Sequence, residues 1–211
     1  MVTAGPTREM LDPMRCITNK SSGKMGYALA ECARHFGADA VCLITGPTQL
    51  PPPAGVECVR VESAEEMREA ILERFAQYDL ILMAAAVADW RPKQSFSQKL
   101  KKSGARELTL VLEKTTDILS ELGRRKKRNQ LLVGFAAETE RVLEHAREKL
   151  REKKLDIVVA NDITAPGAGP EVETNIVTLL YRDGRSETLP CLPKREVARE
   201  ILRRVAQLQN P

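Results

Sequence analysis

The sequence predicts an α/β domain: a doubly wound, mostly parallel sheet with helices on both faces. Three observations predict it. Short apolar runs alternate with amphipathic segments along the chain, the order that builds βαβ units. Several of these runs, such as L-I-L-M-A-A-A-V-A at 80–88 and L-L-V-G-F at 131–135, are apolar without alternation, as strands covered on both faces are. Small and polar residues gather where the runs end, at 3–8, 84–89, 135–138 and 161–162, and open α/β sheets bind ligands beyond the carboxyl ends of their strands. At 211 residues with no internal repeat, residues 1–211 read as one domain.

The stretch 2–36 organises the rest. A short β-branched start leads into a turn carrying Gly5 and Pro6, and a polar loop ends in Ser21-Ser22-Gly23-Lys24. Met25, Ala28, Leu29, Cys32, Ala33 and Phe36 then recur at helical spacing and mark an inner face. Ser21, Ser22 and Gly23 therefore fall at a helix N-terminus, where unpaired N–H groups and the helix dipole favour an anion, and Lys24 adds a full charge. Taken alone, the serines fit a helix cap equally well. The other polar strand ends, feeding the same crevice, favour phosphate.

Residues 40–45 (A-V-C-L-I-T) read as a buried strand closed by Gly46-Pro47, 51–55 as a stiff connection, and 56–61 as a half-buried strand. Ser63 caps a helix to about Gln77, with Ala64, Met67, Ala70, Ile71 and Phe75 inward and Glu66 completing a capping box. Residues 79–89, bounded by acids, form a central strand. The stretch 90–106 is polar and basic with no apolar period, so it reads as a mobile flap, about 90–107 in all, or a disordered connection. A strand at 108–112 and a short helix from 118 to about 125 follow; the basic run Arg124 to Arg128 ends that helix on the solvated surface. After the strand at 131–135, a helix from about Thr139 to Lys154 turns Val142, Leu143, Ala146 and Leu150 inward and carries Lys149 and Lys153 on another face. A strand at 155–160, a loop at 166–170, an antiparallel pair (175–181 and 186–189) turned at Asp183-Gly184, and a terminal helix marked by Val197, Ile201, Leu202, Val205 and Leu208 complete the order.

Lys plus Arg at 33 against Asp plus Glu at 29 leaves +4, too small and dispersed an excess for nucleic-acid binding but suited to anionic metabolites. The cysteines Cys16, Cys32, Cys42, Cys58 and Cys191 form no CxxC pair, and His35 and His145 lie far apart, so neither a disulfide framework nor a zinc knuckle is expected. No run approaches the ~20 apolar residues of a membrane span, no signal peptide is expected, and a cytoplasmic location is the simplest expectation. A dehydrogenase is a rival reading, but 17 residues separate Gly5 from Gly23, too many for one tight pyrophosphate turn, and Tyr-x-x-x-Lys and the Walker A pattern do not occur.

The blocks T-A-G-P-T-R-E, D-P-x-R-x-I-T-N-x-S-S-G-K-M-G, A-A-A-V-A-D-W-R-P, K-L-K-K, V-G-F-A-A-E-T and L-D-I-V-V-A-N-D closely resemble bacterial phosphopantothenoylcysteine synthetase, in order and over essentially the whole chain. The resemblance implies a Rossmann-like fold with a basic flap and a small dimerisation region. It implies a ligase that joins 4'-phosphopantothenate to L-cysteine with CTP and Mg²⁺ through an acyl-cytidylate, releasing pyrophosphate and CMP. It also implies a homodimer whose partner completes each active site, in a family usually fused to a phosphopantothenoylcysteine decarboxylase. By the same resemblance Asn19 assists conversion of the acyl-cytidylate, Arg15 pairs with an anionic substrate group, and the flap cations Lys99, Lys101 and Lys102, Lys99 above all, neutralise developing charge. Ala85 and Ala86 border the intermediate. Asp89, Phe135, Lys149, Lys153 and the segment Glu113, Lys114, Thr115 and Thr116 contact the nucleotide; the metal ligands stay open. The chain departs from the family at Thr115-Thr116, where Asn-Pro is usual, and at Pro170 and Glu173 in a loop that usually carries Phe and Asp. The alternatives are an NAD(P)-dependent oxidoreductase and a non-catalytic nucleotide-binding module.

Overall fold

The computed structural model of the chain describes residues 1–101 and 107–209. Its strands are β1 (Val2–Ala4), β2 (Arg8–Asp12), β3 (Arg15–Thr18), β4 (Cys42–Thr45), β5 (Glu57–Arg60), β6 (Leu80–Met83), β7 (Trp90–Pro92), β8 (Leu112–Lys114), β9 (Leu131–Glu138), β10 (Ile157–Asp162), β11 (Thr174–Asn175), β12 (Val177–Tyr181), β13 (Ser186–Thr188) and β14 (Leu192–Pro193). The helices are α1 (Lys24–His35), α2 (Ala64–Arg74), α3 (Ile118–Arg125), α4 (Val142–Glu152) and α5 (Lys194–Gln209).

An eight-stranded sheet runs in the order β13-β12-β10-β9-β6-β1-β4-β5. From β10 to β5 every neighbouring pair is parallel, and only β12 and β13 add antiparallel edges. The chain moves outward from β1 through β4 and β5, then returns to place β6 on the other side of β1. The reversal between β1 and β6 is the topological switch point, where such sheets open a crevice. Leu29, Ala30, Val197, Ile201 and Val205 of α1 and α5 share one apolar cluster with the sheet, whereas Met67, Ile71, Ile118, Leu122 and Ala146 of α2, α3 and α4 share another. The sheet is thus covered on both faces, which is why its central strands are apolar without alternation. Gly26 permits the close approach of α1, since a Cβ there would lie 2.5 Å from the Ala4 Cβ.

Local chemistry sets α2 as expected. The Ser63 hydroxyl accepts from the Glu66 N–H at 3.1 Å, while the Glu66 carboxylate reaches back to the Glu62 N–H at 2.8 Å, one residue earlier than a reciprocal box requires. Buried Glu9 accepts from the Ala64 N–H at 2.9 Å and satisfies another orphan donor of the same helix.

The structure corrects several sequence expectations. The supposed polar loop after Pro6 is an antiparallel hairpin, β2–β3. The flap is anchored at both ends: β7 pairs with β8, Lys93 N–H bonds to the Val111 carbonyl at 2.9 Å, and Phe96 N–H to Leu11 at 2.9 Å. The strand expected at 108–112 starts only at Leu112, and the central strand expected through residue 89 ends at Met83. Phe36, past the end of α1, is 48% exposed, and Leu143 is 41% exposed on the outer side of α4. In the basic run Lys126 is only half exposed and pairs with Asp156, which also accepts from the Leu132 N–H. Among the described residues no helix is long and apolar enough to cross a membrane.

Candidate functional site at the switch point

Beyond the ends of β1 and β6 the two segments stay together. Pro6 and Ala86 form an isolated parallel bridge, Ala86 N–H donates to Gly5 at 2.9 Å, and two buried threonine hydroxyls, on Thr3 and Thr7, accept from the N–H groups of Ala85 (3.1 Å) and Ala88 (3.0 Å). The small side chains of 84–86 leave the backbone accessible at the rim. Asn19, just past β3, donates through Nδ2 to the carbonyls of Ala86 (3.3 Å) and Val87 (3.0 Å). Both amide hydrogens are thereby committed to the backbone, which leaves Oδ1 as the group Asn19 can offer a ligand.

Two residues further on, the exposed Asp89 meets the nucleotide set expected from the sequence. Thr115 donates its N–H to the Asp89 carbonyl at 3.0 Å and its hydroxyl to Ala88 at 2.6 Å. Lys149, half-buried on α4, reaches the Phe135 carbonyl at 2.6 Å. Burial, and then repulsion from Lys153, hold its ammonium below the ordinary lysine range, while Glu138, Asp117 and Asp89 pull the other way. Lys153 bridges to Asp117 at 3.0 Å. Burial works to raise Asp117, but bonds from the Ser120 backbone, the Lys153 ammonium and the Ser120 hydroxyl outweigh it and keep the carboxyl below its usual range. Asn19, Ala85, Ala86, Asp89, Thr115, Phe135, Lys149 and Lys153 therefore occupy one rim. Glu138, with His145 at 3.5 Å, and Asp117 belong to it as well; Glu138 closes the polar strand end at 135–138, whereas nothing in its local sequence marks Asp117.

Other expected residues are placed elsewhere. Glu113 pairs with Arg91 at 2.9 Å and Lys114 lies over the Trp90 ring, 5.8 Å from its centroid, so both serve the β7–β8 ribbon. Thr116 is exposed beside it. Arg15 does not stand free for an anion. The buried Asp12 carboxylate engages its guanidinium and accepts from the N–H groups of Met14 (2.8 Å), Arg15 (2.9 Å) and Leu100 (3.1 Å), while Arg15 donates to the Leu100 carbonyl at 3.0 Å. The guanidinium, then those N–H groups, hold the Asp12 carboxyl well below the usual carboxylate range, although burial opposes them. This pair ties the flap to the β2–β3 hairpin one residue from Lys99. Lys99 and Lys101 are exposed; Lys102 lies outside the described residues.

The cap reading of the serines is also corrected. The N-cap of α1 is Gly23, in the left-handed region at φ 77°, with no side-chain cap. Ser22 donates to the Pro170 carbonyl at 2.7 Å and accepts only a long bond, 3.5 Å, from the Lys24 N–H, while the Lys24 ammonium donates to the Glu171 carbonyl at 2.8 Å and to Glu173 at 2.5 Å. Ser21 accepts only a long bond, 3.4 Å, from Gly23. The spacing objection to a compact glycine turn dissolves in three dimensions: the hairpin takes up the intervening residues, and a Cβ on Gly23 would lie 3.3 Å from the Gly5 nitrogen.

Two cavities lie away from this rim. One of about 640 Å³ is lined by Tyr181, Arg185, Glu187, Glu200, Arg203 and Arg204, where the acids neutralise most of the cations. The other, about 370 Å³, lies between β2, α2 and β7 and includes Arg8, Ser63, Arg91 and Glu113. Asn19, Asp89, Phe135 and Lys149 line neither.

A family model described as the DNA/pantothenate metabolism flavoprotein C-terminal domain matches residues 1–208. The chain belongs to that family. Among its relatives, the Coenzyme A biosynthesis bifunctional protein CoaBC of Bacillus subtilis (strain 168) is 51% identical over 211 residues, covering 100% of this chain and 51% of the relative. The protein of the same description from Vibrio vulnificus (strain YJ016) is 43% identical, covering 100% and 52%. The chain thus spans about half the length of these family members. The solved C-terminal domain of a Coenzyme A biosynthesis bifunctional protein CoaBC superposes with a TM-score of 0.82 at 48% identity, over 98% of this chain and 92% of that one. A Cab2 variant solved in complex with phosphopantothenate-cysteine shares the family fold, with a TM-score of 0.77 at 16% identity over 99% and 85%.

Proposed function

We propose that the chain is a phosphopantothenate–cysteine ligase that uses CTP in coenzyme A biosynthesis. The observation that carries this reading is the near-complete match to the C-terminal half of bifunctional coenzyme A proteins, combined with a rim on which the family's motif residues Asn19, Asp89, Phe135 and Lys149 meet.

The chemistry runs in two displacements. A carboxylate oxygen of 4'-phosphopantothenate attacks the α-phosphorus of CTP, forming the acyl-cytidylate and expelling pyrophosphate. The amine of cysteine then attacks the acyl carbonyl, the C–N bond forms, and CMP leaves with the acyl-oxygen electron pair while the amine loses a proton. The first step gathers several negative charges, and fixed cations lower its barrier. Lys149 and Lys153 hold the nucleotide phosphates, Lys99 and Lys101 add charge when the flap closes, and Thr115 keeps the Asp89 backbone in place. Asn19 offers Oδ1 to the attacking amine. Mg²⁺ would be held largely by the substrate phosphates, with one or two carboxylates; no group of three His, Cys, Asp or Glu side chains converges among the described residues, and Asp89, an exposed rim carboxylate, would serve as such a ligand. The ion would supply charge neutralisation on the triphosphate.

A second copy of the chain is the partner best suited to the two ribbons β2–β3 and β7–β8, which leave Met10, Met14, Trp90, Leu110, Val111 and Leu112 exposed. A decarboxylase domain, fused or separate, is the expected neighbour in the pathway. The deciding experiment incubates the chain with 4'-phosphopantothenate, cysteine, Mg²⁺ and each nucleoside triphosphate while pyrophosphate and product mass are followed. CTP-dependent release with formation of 4'-phosphopantothenoylcysteine is expected. Nucleotide binding without release would leave only a binding module, and light scattering at monomer mass under assay conditions would remove the shared site.

A further inference from the structure

The hairpin β2–β3 and the flap meet at one buried carboxylate. Asp12, 2% exposed at the end of β2, accepts from three backbone N–H groups and from the Arg15 guanidinium, and its two oxygens divide these donors. Oδ1 accepts from the N–H groups of Met14 and Arg15, two and three residues on, which is the local bonding an Asp gives to a tight turn. Oδ2 has no part in the turn. It accepts from the Arg15 guanidinium through Nε, at 2.9 Å, and Nη2, and from the N–H of Leu100, 88 positions away, at 3.1 Å. The turn accounts for one oxygen and the flap for the other.

The flap is held twice at the same residue. Leu100 gives its N–H to Asp12 and lends its carbonyl to Arg15 Nη2 at 3.0 Å, so the peptide groups on both sides of its Cα are fixed to the hairpin. A further tie, from the Phe96 N–H to the Leu11 carbonyl at 2.9 Å, reaches the same end of β2. Between these ties lies Lys99, exposed and next to Leu100 in the chain. An exposed lysine carries its charge on a flexible four-carbon stem, so what its ammonium reaches is governed by where its Cα is held. The hairpin that holds Leu100 also leads, through β3, directly into Asn19, whose amide is bound to the carbonyls of Ala86 and Val87. One ribbon thus connects the flap lysine to the rim. Taking a carboxylate out of water is costly, and a turn by itself is served as well by Asn; the charge and the second oxygen at position 12 serve the flap.

We propose that Asp12 is a positioning residue for the nucleotide-activation step: through Oδ2 it fixes Leu100 to the hairpin and thereby presents Lys99 to the triphosphate at the rim. The role of Lys99 rests on the ligase reading; the contacts of Asp12 do not.

Asp12→Asn is the selective variant, because a side-chain amide keeps one oxygen for the turn and puts an NH2 group where Leu100 and Arg15 need an acceptor. The test uses the full chain and reads amide hydrogen exchange at Leu100, steady-state kinetics with CTP, 4'-phosphopantothenate and cysteine, and the double variant with Lys99→Met. Asp12→Asn is expected to speed exchange at Leu100 and to lower kcat about ten- to a hundredfold, the range for a displaced catalytic group, with KM for 4'-phosphopantothenate held within about twofold. In the Lys99→Met background the same change should lower kcat no further, since a residue that acts through Lys99 then has nothing left to position. Losses that multiply in the double variant would make Asp12 a purely structural residue and overturn the proposal, as would unchanged exchange at Leu100 or wild-type kcat in Asp12→Asn. Should Asp12→Asn fail to fold, Leu100→Pro removes the flap's donor and leaves Asp12 and its turn in place. The same loss of kcat is expected there, again absent from the Lys99→Met background, and wild-type turnover in Leu100→Pro overturns the proposal. Absence of CTP-dependent turnover in the wild-type chain would overturn the ligase reading and this role with it, whereas turnover with multiplying losses overturns the role alone.

Discussion

Two pairs of lysines flank the rim from opposite faces of the sheet, and they are held by different means. Lys149 and Lys153, on α4, sit among the carboxylates Asp89, Asp117 and Glu138. Lys24 and Lys194, at the starts of α1 and α5, are held mainly by loop carbonyls, with Glu173 as the single acid. The first pair is poised by charge and the second by backbone geometry. Charge-poised cations respond to pH and salt and can exchange carboxylates for phosphates; carbonyl-held cations keep their positions while the loop stays closed.

The largest effect is expected between the two ends. Asn19→Asp loses the hydrogens that hold Ala86 and Val87 and adds a negative charge beside their carbonyls, so kcat should fall about a hundredfold or more. Acyl-cytidylate should accumulate and be visible by mass spectrometry, and wild-type turnover in this variant would remove Asn19 from the chemistry. Next in size, Lys149→Met should raise KM for CTP about ten- to a hundredfold, the range for loss of a charge-assisted bond, while KM for 4'-phosphopantothenate holds.

A smaller effect sharpens the electrostatic half of the contrast. Because the Lys149 ammonium is held below the ordinary lysine range, CTP affinity should be lost as pH rises through that lowered value, before a normal lysine titrates. Lys153→Met removes the like charge and should move the loss to higher pH; CTP titrations across pH in which the midpoint stays put would contradict the assigned cause. The smallest effect lies on neither end. Ser63→Ala removes the α2 cap and should cost about 1 kcal/mol, lowering Tm by roughly 2–4 °C in a domain of this size, with turnover unchanged; calorimetry showing no shift would mean Glu9 and Glu66 suffice to cap the helix.

Legibility in the sequence followed the range of the interactions involved. The Ser63 cap and the inward face of α2 are short-range, and they stand where the pattern puts them. The β2–β3 hairpin was hidden because one of its inward residues is an acid: Glu9 is buried to cap α2, fifty-five positions away, so alternation reads as a polar loop. The flap ribbon was hidden for a related reason, since β7 and β8 are short and each finds its partner across the rest of the flap. Asp89, Phe135, Lys149 and Lys153 were legible as motif positions. Their neighbour Asp117 was not, and neither was the engagement of Arg15 by Asp12 or of Lys24 by the 167–173 loop.

By itself the sequence determined the alternation of strands and helices, their burial on two faces, most helix ends and the family blocks, because periodicity, capping and turn chemistry act within a few residues. Only the tertiary structure decided which donors meet which carbonyls: Asn19 with Ala86 and Val87, Lys149 with Phe135, Lys194 with the loop across from α1. Those contacts join positions far apart in the chain, and they form only once the closed sheet brings its strand ends to one rim.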